Sequence, residues 1–170
     1  MGKYFNNFDF SNFWNNAQYS LEYMCEYPSD ELVKSIESEL GYKLPESYIE
    51  LMKMHNGGMP FKYHFPIRNS SKHIEIEAIL GIGRAKGDSL CGSFGGSKFW
   101  IEEWRYPNVG IYFCTTPTGG HDMVAFDYRK CGNNGQPEVV YVDQKLDYKI
   151  TFLAKDFETF IKGLTTESVE

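Results

Sequence analysis

The 170-residue sequence has no apolar run approaching the roughly 20 residues that a bilayer-spanning helix needs, so no membrane segment is expected. Its first ten residues alternate Asn with Phe around a single Lys3. They lack the charged start and apolar middle of a secretory signal, which points to a cytoplasmic location. No C-x-x-C pair occurs among Cys25, Cys91, Cys114 and Cys131, which argues against a zinc or redox motif. Reduced thiols are expected, with two disulfides left open by counting alone. Positive charge is short: 17 Lys and Arg stand against 23 Asp and Glu, a net charge of −6 that disfavours a direct grip on nucleic-acid phosphates. There is no H-E-x-x-H and no i, i+4 histidine pair. His55, His64 and His73 look scattered and structural, and no metal or cofactor is expected. No linker, repeat or low-complexity tract divides the chain.

What is present is core material. With 42% apolar and 16% aromatic residues, a chain of this length can take roughly 70% of its unfolded surface out of water as one domain. Phe10, Phe13, Trp14, Ala17, Leu21 and Met24 recur at helical intervals, predicting a helix over Phe10 to Met24 despite its many asparagines. Ser29 is placed to cap a second helix carrying Leu32, Val33, Ile36 and Leu40, which Gly41 ends. Leu44-Pro45-Glu46 opens a third, with Pro45 at its first position and Tyr48, Leu51, Met52 and His55 on one face, stopped by Asn56-Gly57-Gly58.

From there the period falls to two. Strands are predicted over Phe61 to Phe65, His73 to Leu80, Val109 to Phe113, Met123 to Tyr128 and Glu138 to Val142, the last two as an antiparallel hairpin. The glycine-rich stretch from Gly81 to Lys98 predicts a mobile loop. A short helix is expected around Phe99 to Trp104, and Lys155 to Leu164 predicts a closing helix. Helices, then strands, then a helix imply an α+β fold: an antiparallel-rich central sheet packed by N-terminal helices and a C-terminal helix.

Candidate chemistry is sparse. Gly81-Ile82-Gly83 with Gly87 reads G-x-G-x-x-x-G with no helix behind it, so a phosphate loop is disfavoured. His121 beside Asp122, after Gly119-Gly120 and with Cys114 nearby, offers an acid–base pair and a thiol for catalysis; the alternative is a turn that Asp122 organises. Glu75 and Glu77 share one strand face and form an acidic surface. Trp100, Glu102, Glu103, Trp104 and Arg105 combine aromatic bulk with charge, the composition of an interface hot spot; equally, the two tryptophans could anchor a short helix to the core.

The run from Gly41 through Leu44-Pro45-Glu46-Ser47-Tyr48 and Leu51 to Asn56-Gly57-Gly58 resembles the Smi1/Knr4 family, also called the SUKH superfamily. Gly119-Gly120 with Asp122, followed by a strand ending in Asp127, looks like that family's entry to a later strand. The segment around Phe157 and Phe160 is similar to its final helix. The resemblance spans Ser29 to Leu164 and makes residues 1–28 an N-terminal extension, helical and packed on a Smi1/Knr4-like domain over residues 29–170. It implies a bacterial immunity protein that binds and neutralises a cognate polymorphic toxin, often a nuclease, in competition between cells. A regulatory interaction adaptor is the alternative, and no catalytic residues carry over. The implied partner is a basic toxin domain, the protein itself a monomer or weak homodimer, and Glu75, Glu77, Trp100, Glu102, Glu103, Trp104 and Arg105 are the expected contact residues.

Overall fold

Asparagine and aspartate decide how the chain begins. In the computed structural model, which describes residues 2–166, the helix expected from Phe10 to Met24 shrinks to one turn, α1 (Gln18–Leu21). Asp9 Oδ1 accepts from the Ser11 N–H and Asn15 Oδ1 from the Ala17 N–H, local turns that compete with helical hydrogen bonding. The aromatic residues at helical spacing form a nest of rings instead. Phe5, Phe8, Phe10 and Phe13 meet at centroid distances of 4.6 to 6.1 Å, mostly edge to face. Phe5, Phe13 and Trp14 are buried in the same core as the helices that follow. Met1 and residues 167–170, the outer ends of the expected extension and domain, lie outside the described residues.

Helix α2 (Asp30–Leu40) starts where Ser29 Oγ accepts from the Leu32 N–H and stops at Gly41, whose φ of 82° is left-handed. Helix α3 (Glu46–Met54) begins one residue later than expected: Pro45, at ψ 135°, is the cap rather than the first helical residue. Both helices bury the predicted stripes, Val33, Ile36 and Leu40 on one and Tyr48, Leu51 and Met52 on the other.

The first two strands are shorter than the alternation suggested. β1 (His64–Pro66) pairs antiparallel with β2 (His73–Glu75), and the chain then leaves this hairpin to run beside the main sheet. Residues 77–80 bond to a strand still to come, through Glu77 N–H to Thr115 O, Thr115 N–H to Ala78 O and Leu80 N–H to Phe113 O. Helix α4 (Ser97–Glu102) precedes β3 (Gly110–Thr115), β4 (Asp122–Asp127) and β5 (Glu138–Asp143), close to their predicted spans. A sixth strand, β6 (Lys149–Ala154), was not legible. The turn before it uses left-handed Asp147 and Tyr148 in place of the usual glycine. The chain closes with α5 (Phe157–Lys162), capped by Asp156 Oδ1 on the Thr159 N–H.

The main sheet runs in the order β3-β4-β5-β6, antiparallel throughout, so the α+β class read from the sequence is the observed one. One sheet face meets α2, α3 and α5. There Phe113 and Phe126 stack at 3.9 Å across neighbouring strands, with Tyr48 and Phe157 edge-on against them. The other face, Tyr112, Met123, Ala125, Val140 and Val142, is covered by Trp100 and Tyr106. Strands buried on both faces read as continuous apolar runs, which is why β4 is so marked in the sequence.

The segment from Gly81 to Lys98 is irregular as expected, but it is packed onto the domain and not a free loop. Ile82, Ser89, Leu90 and Ser97 are buried, and the Ser97 N–H donates to Leu90 O. A side chain on Gly92 would lie 2.0 Å from Gly87 O, so its glycines serve tight self-packing, which a count of periodic apolar residues does not detect. Among the described residues no helix is long and apolar enough to cross a membrane.

Candidate functional site

The residues expected to form a catalytic group do not converge. Cys114 is wholly buried, and burial pushes its thiol well above the ordinary value, the opposite of an activated nucleophile. His121 is exposed, and its Nδ1 lies 3.0 Å from Gln144 Oε1. The Asp122 carboxylate is occupied by the hydroxyls of Thr116, Thr118 and Tyr141, while its own N–H donates to Thr118 Oγ1. Asp122 therefore organises the turn into β4. Gly119 and Gly120 serve that turn too, at φ 70° and 100°, and a side chain on Gly120 would come within 2.7 Å of the Trp100 ring. The close approach that these glycines permit is to the protein's own tryptophan.

Trp100, expected at a partner surface, is 8% exposed. Its indole N–H donates to Gly95 O at 2.9 Å, and its ring packs on Trp104 and Tyr106. It anchors α4 to the sheet. Trp104 is half-buried beneath His121 and takes the Tyr148 hydroxyl on its carbonyl oxygen. Glu102, Glu103 and Arg105 are exposed, Arg105 at a left-handed φ of 62°. Glu102 shares a shallow cleft with Lys98, so negative charge at this end of the sheet is offset.

The other end of the sheet gathers more carboxylates. Glu77 is held beside the last residue of β3, with Thr115 Oγ1 donating to its carboxylate at 3.4 Å. Burial pushes the Glu77 carboxyl up, and the Asp88 charge adds to that rise. Glu77, Asp88 and Glu22 all act on the Tyr23 hydroxyl; burial first, then these three charges, push it up to about 12. From Thr115 the chain passes to Thr116, which binds Asp122, and Asp122 faces Asp143 across β4 and β5. Burial, reinforced by the Asp122 hydrogen bond and the Asp143 charge, holds the Tyr141 phenol protonated. One sheet end thus carries Glu22, Glu77, Asp88, Asp122 and Asp143, five carboxylates against Lys149, the cross-strand partner of Asp143, and Lys86, whose Nζ donates to Glu22 O.

Of the four expected glutamates only Glu77 belongs to this end; Glu75 lies on β2 opposite His64, Glu102 lines a cleft with Gly110 at the start of β3, and Glu103 follows it. From Gly110 to Thr115 is five steps along β3, so Glu102 and Glu77 stand roughly 17 Å apart at 3.3 Å per residue. They do not form one patch. Sequence reasoning missed Glu22, Asp88 and Asp143 because only the fold brings these distant carboxylates to one edge.

The remaining motif residues are structural. Asn56 Nδ2 donates to Glu26 O and Ile82 O, and its Oδ1 accepts from the Ile82 N–H, so one side chain joins three segments. Gly57, at φ 93°, leaves no room for a side chain against Gly81 N and Tyr23 O. Gly58 lets His55 and Trp14, stacked at 4.4 Å, close over it. Tyr48 donates its buried hydroxyl to Leu80 O. Asp127 is buried; burial opposes its charge, but the Arg129 guanidinium and N–H outweigh this and lower its carboxyl below the ordinary value.

A search of the curated proteins finds no match to this chain. The model of the SMI1 / KNR4 family (SUKH-1) matches residues 27–163, starting within the segment that Asn56 ties down and ending just beyond α5. That match covers most of the 170 residues, and the chain belongs to the SMI1/KNR4 (SUKH-1) family.

Proposed function

We propose that this chain is an immunity protein that acts in the cytoplasm by binding and neutralising a cognate toxin domain, without catalysis of its own. The observation that carries the reading is the acidic sheet end, where Glu22, Glu77 and Asp88 surround Tyr23 and the series continues to Asp122 and Asp143. A nuclease toxin must hold phosphates, so its cleft is basic. An acidic edge on a chain of net charge −6 would speed encounter with that cleft and complement it on docking. Membership of SUKH-1 supports the class of activity, and the charge distribution supports the face.

The test is co-expression with the toxin domain encoded beside the gene for this chain. Growth of cells producing that toxin is restored by the full-length chain. Toxin-arrested growth in the presence of folded, abundant chain would contradict immunity; binding without rescue would identify a regulatory adaptor instead.

A further inference from the structure

The histidines that look scattered in the sequence are brought together by strand register. His64 on β1 is the cross-strand partner of Glu75 on β2, and His73 precedes Glu75 by two residues, the spacing that returns a strand's side chains to one face. A potential ligand atom from each of His64, His73 and Glu75 lies within 4.8 Å of the others. The two imidazole rings are 4.8 Å apart, centre to centre.

His64 supplies an independent observation. It is 8% exposed, and neither ring nitrogen has a hydrogen-bond partner. Buried polar groups are nearly always paired, so an imidazole with both nitrogens orphaned calls for an explanation. Its Nε2 is 3.4 Å from Glu75 Oε1, close enough for an ion pair but outside hydrogen-bond geometry. Two ligands each about 2.0 Å from a tetrahedral zinc ion stand about 3.3 Å apart. The pair is thus spaced as two ligands of one metal would be.

We propose that His64, His73 and Glu75 form a binding site for a divalent transition-metal ion, with zinc the best match to two imidazoles and a carboxylate. Three protein ligands leave a fourth position for water or for a side chain of another molecule. Glu75 is about half exposed, so the ion can reach the site from solvent while His64 forms its inner wall. The ion would clamp a hairpin whose strands are only three residues long. It would also steady the segment just after α5, because His64 exchanges backbone hydrogen bonds with Thr165. The site is separate from the acidic sheet end, and its presence does not depend on a toxin.

Zinc chloride titrated into the metal-free full-length chain tests this by calorimetry, with thermal unfolding in parallel. One ion binds per chain with a Kd in the micromolar range or below, and Tm rises by several degrees at a hundredfold excess over Kd. Cobalt(II) at the same site gives a d–d absorption spectrum without a thiolate charge-transfer band, which separates it from binding at the cysteines. His73→Gln and Glu75→Gln alter solvent-accessible positions; each folds as the parent does and weakens zinc binding at least tenfold. Absence of stoichiometric binding by the parent overturns the proposal, and so does equal affinity in both variants.

Discussion

Replacing Asn56 with alanine is expected to cost about 3 kcal/mol of folding stability, because three hydrogen bonds vanish together and the buried Ile82 N–H is left unpaired. The same junction makes Gly57→Ala comparably damaging. A methyl group there would sit 2.8 Å from Gly81 N and 2.9 Å from Tyr23 O, both backbone atoms, on a residue that must also hold φ at 93°. Urea unfolding followed by circular dichroism reads both effects as a lowered midpoint at unchanged slope. Loss of less than 1 kcal/mol in either variant would mean that the Asn-Gly-Gly turn is not what joins the first segment, α3 and the Gly81 segment.

The second large effect lies in the sheet. Phe126 is fully buried, stacked on Phe113 and met edge-on by Tyr48 and Phe157, so Phe126→Ala removes ring contacts on several sides at once. Deletion of a buried phenylalanine side chain costs about 3 to 5 kcal/mol, depending on how far the site collapses. Strands β3 and β4 and helices α3 and α5 hold these rings rigidly on several sides, which limits collapse and puts the expected loss toward the top of that range. Leucine at the same position should recover more than half of it, since it refills most of the volume. A leucine variant no more stable than the alanine variant would point to ring stacking, not volume, as the dominant contribution.

Local signals were read correctly where local physics decides the outcome. Ser29 caps α2, Gly41 ends it in the left-handed region, and the closing helix, Phe157–Lys162, falls within the predicted Lys155 to Leu164. The apolar runs of β3, β4 and β5 were plain because both faces of those strands are covered. The failures have a shared cause. Phe10 to Met24 carries a helical spacing of aromatic residues, yet Asp9 and Asn15 hold their own backbone in turns and the rings pack as a cluster. The Gly81 to Lys98 segment is buried through backbone contacts that glycine allows and hydrophobicity does not register.

Sites were harder to read than elements, because each depends on pairing between distant residues. Trp100 has the composition of an interface residue, but Gly120, twenty positions on, makes room for its ring in the fold. His121, Asp122 and Cys114 are near neighbours in the sequence, but their functional groups are engaged with different partners. His64 and Glu75 are eleven positions apart and meet only through the β1–β2 register. Glu22, Glu77 and Asp88 come from three separate segments, and Tyr23 marks where they gather.

Binding through the acidic sheet end is measured most directly by titrating the cognate toxin domain into two variants of this chain beside the parent. Glu22→Lys with Glu77→Gln and Asp88→Lys turns the three negative charges around Tyr23 into a net positive charge, while Glu102→Lys with Glu103→Lys reverses the charge at the opposite end. The account predicts one-to-one binding that weakens at least tenfold in the first variant and with added salt, and changes less than threefold in the second. Undiminished affinity in the first variant, with loss in the second, would contradict it.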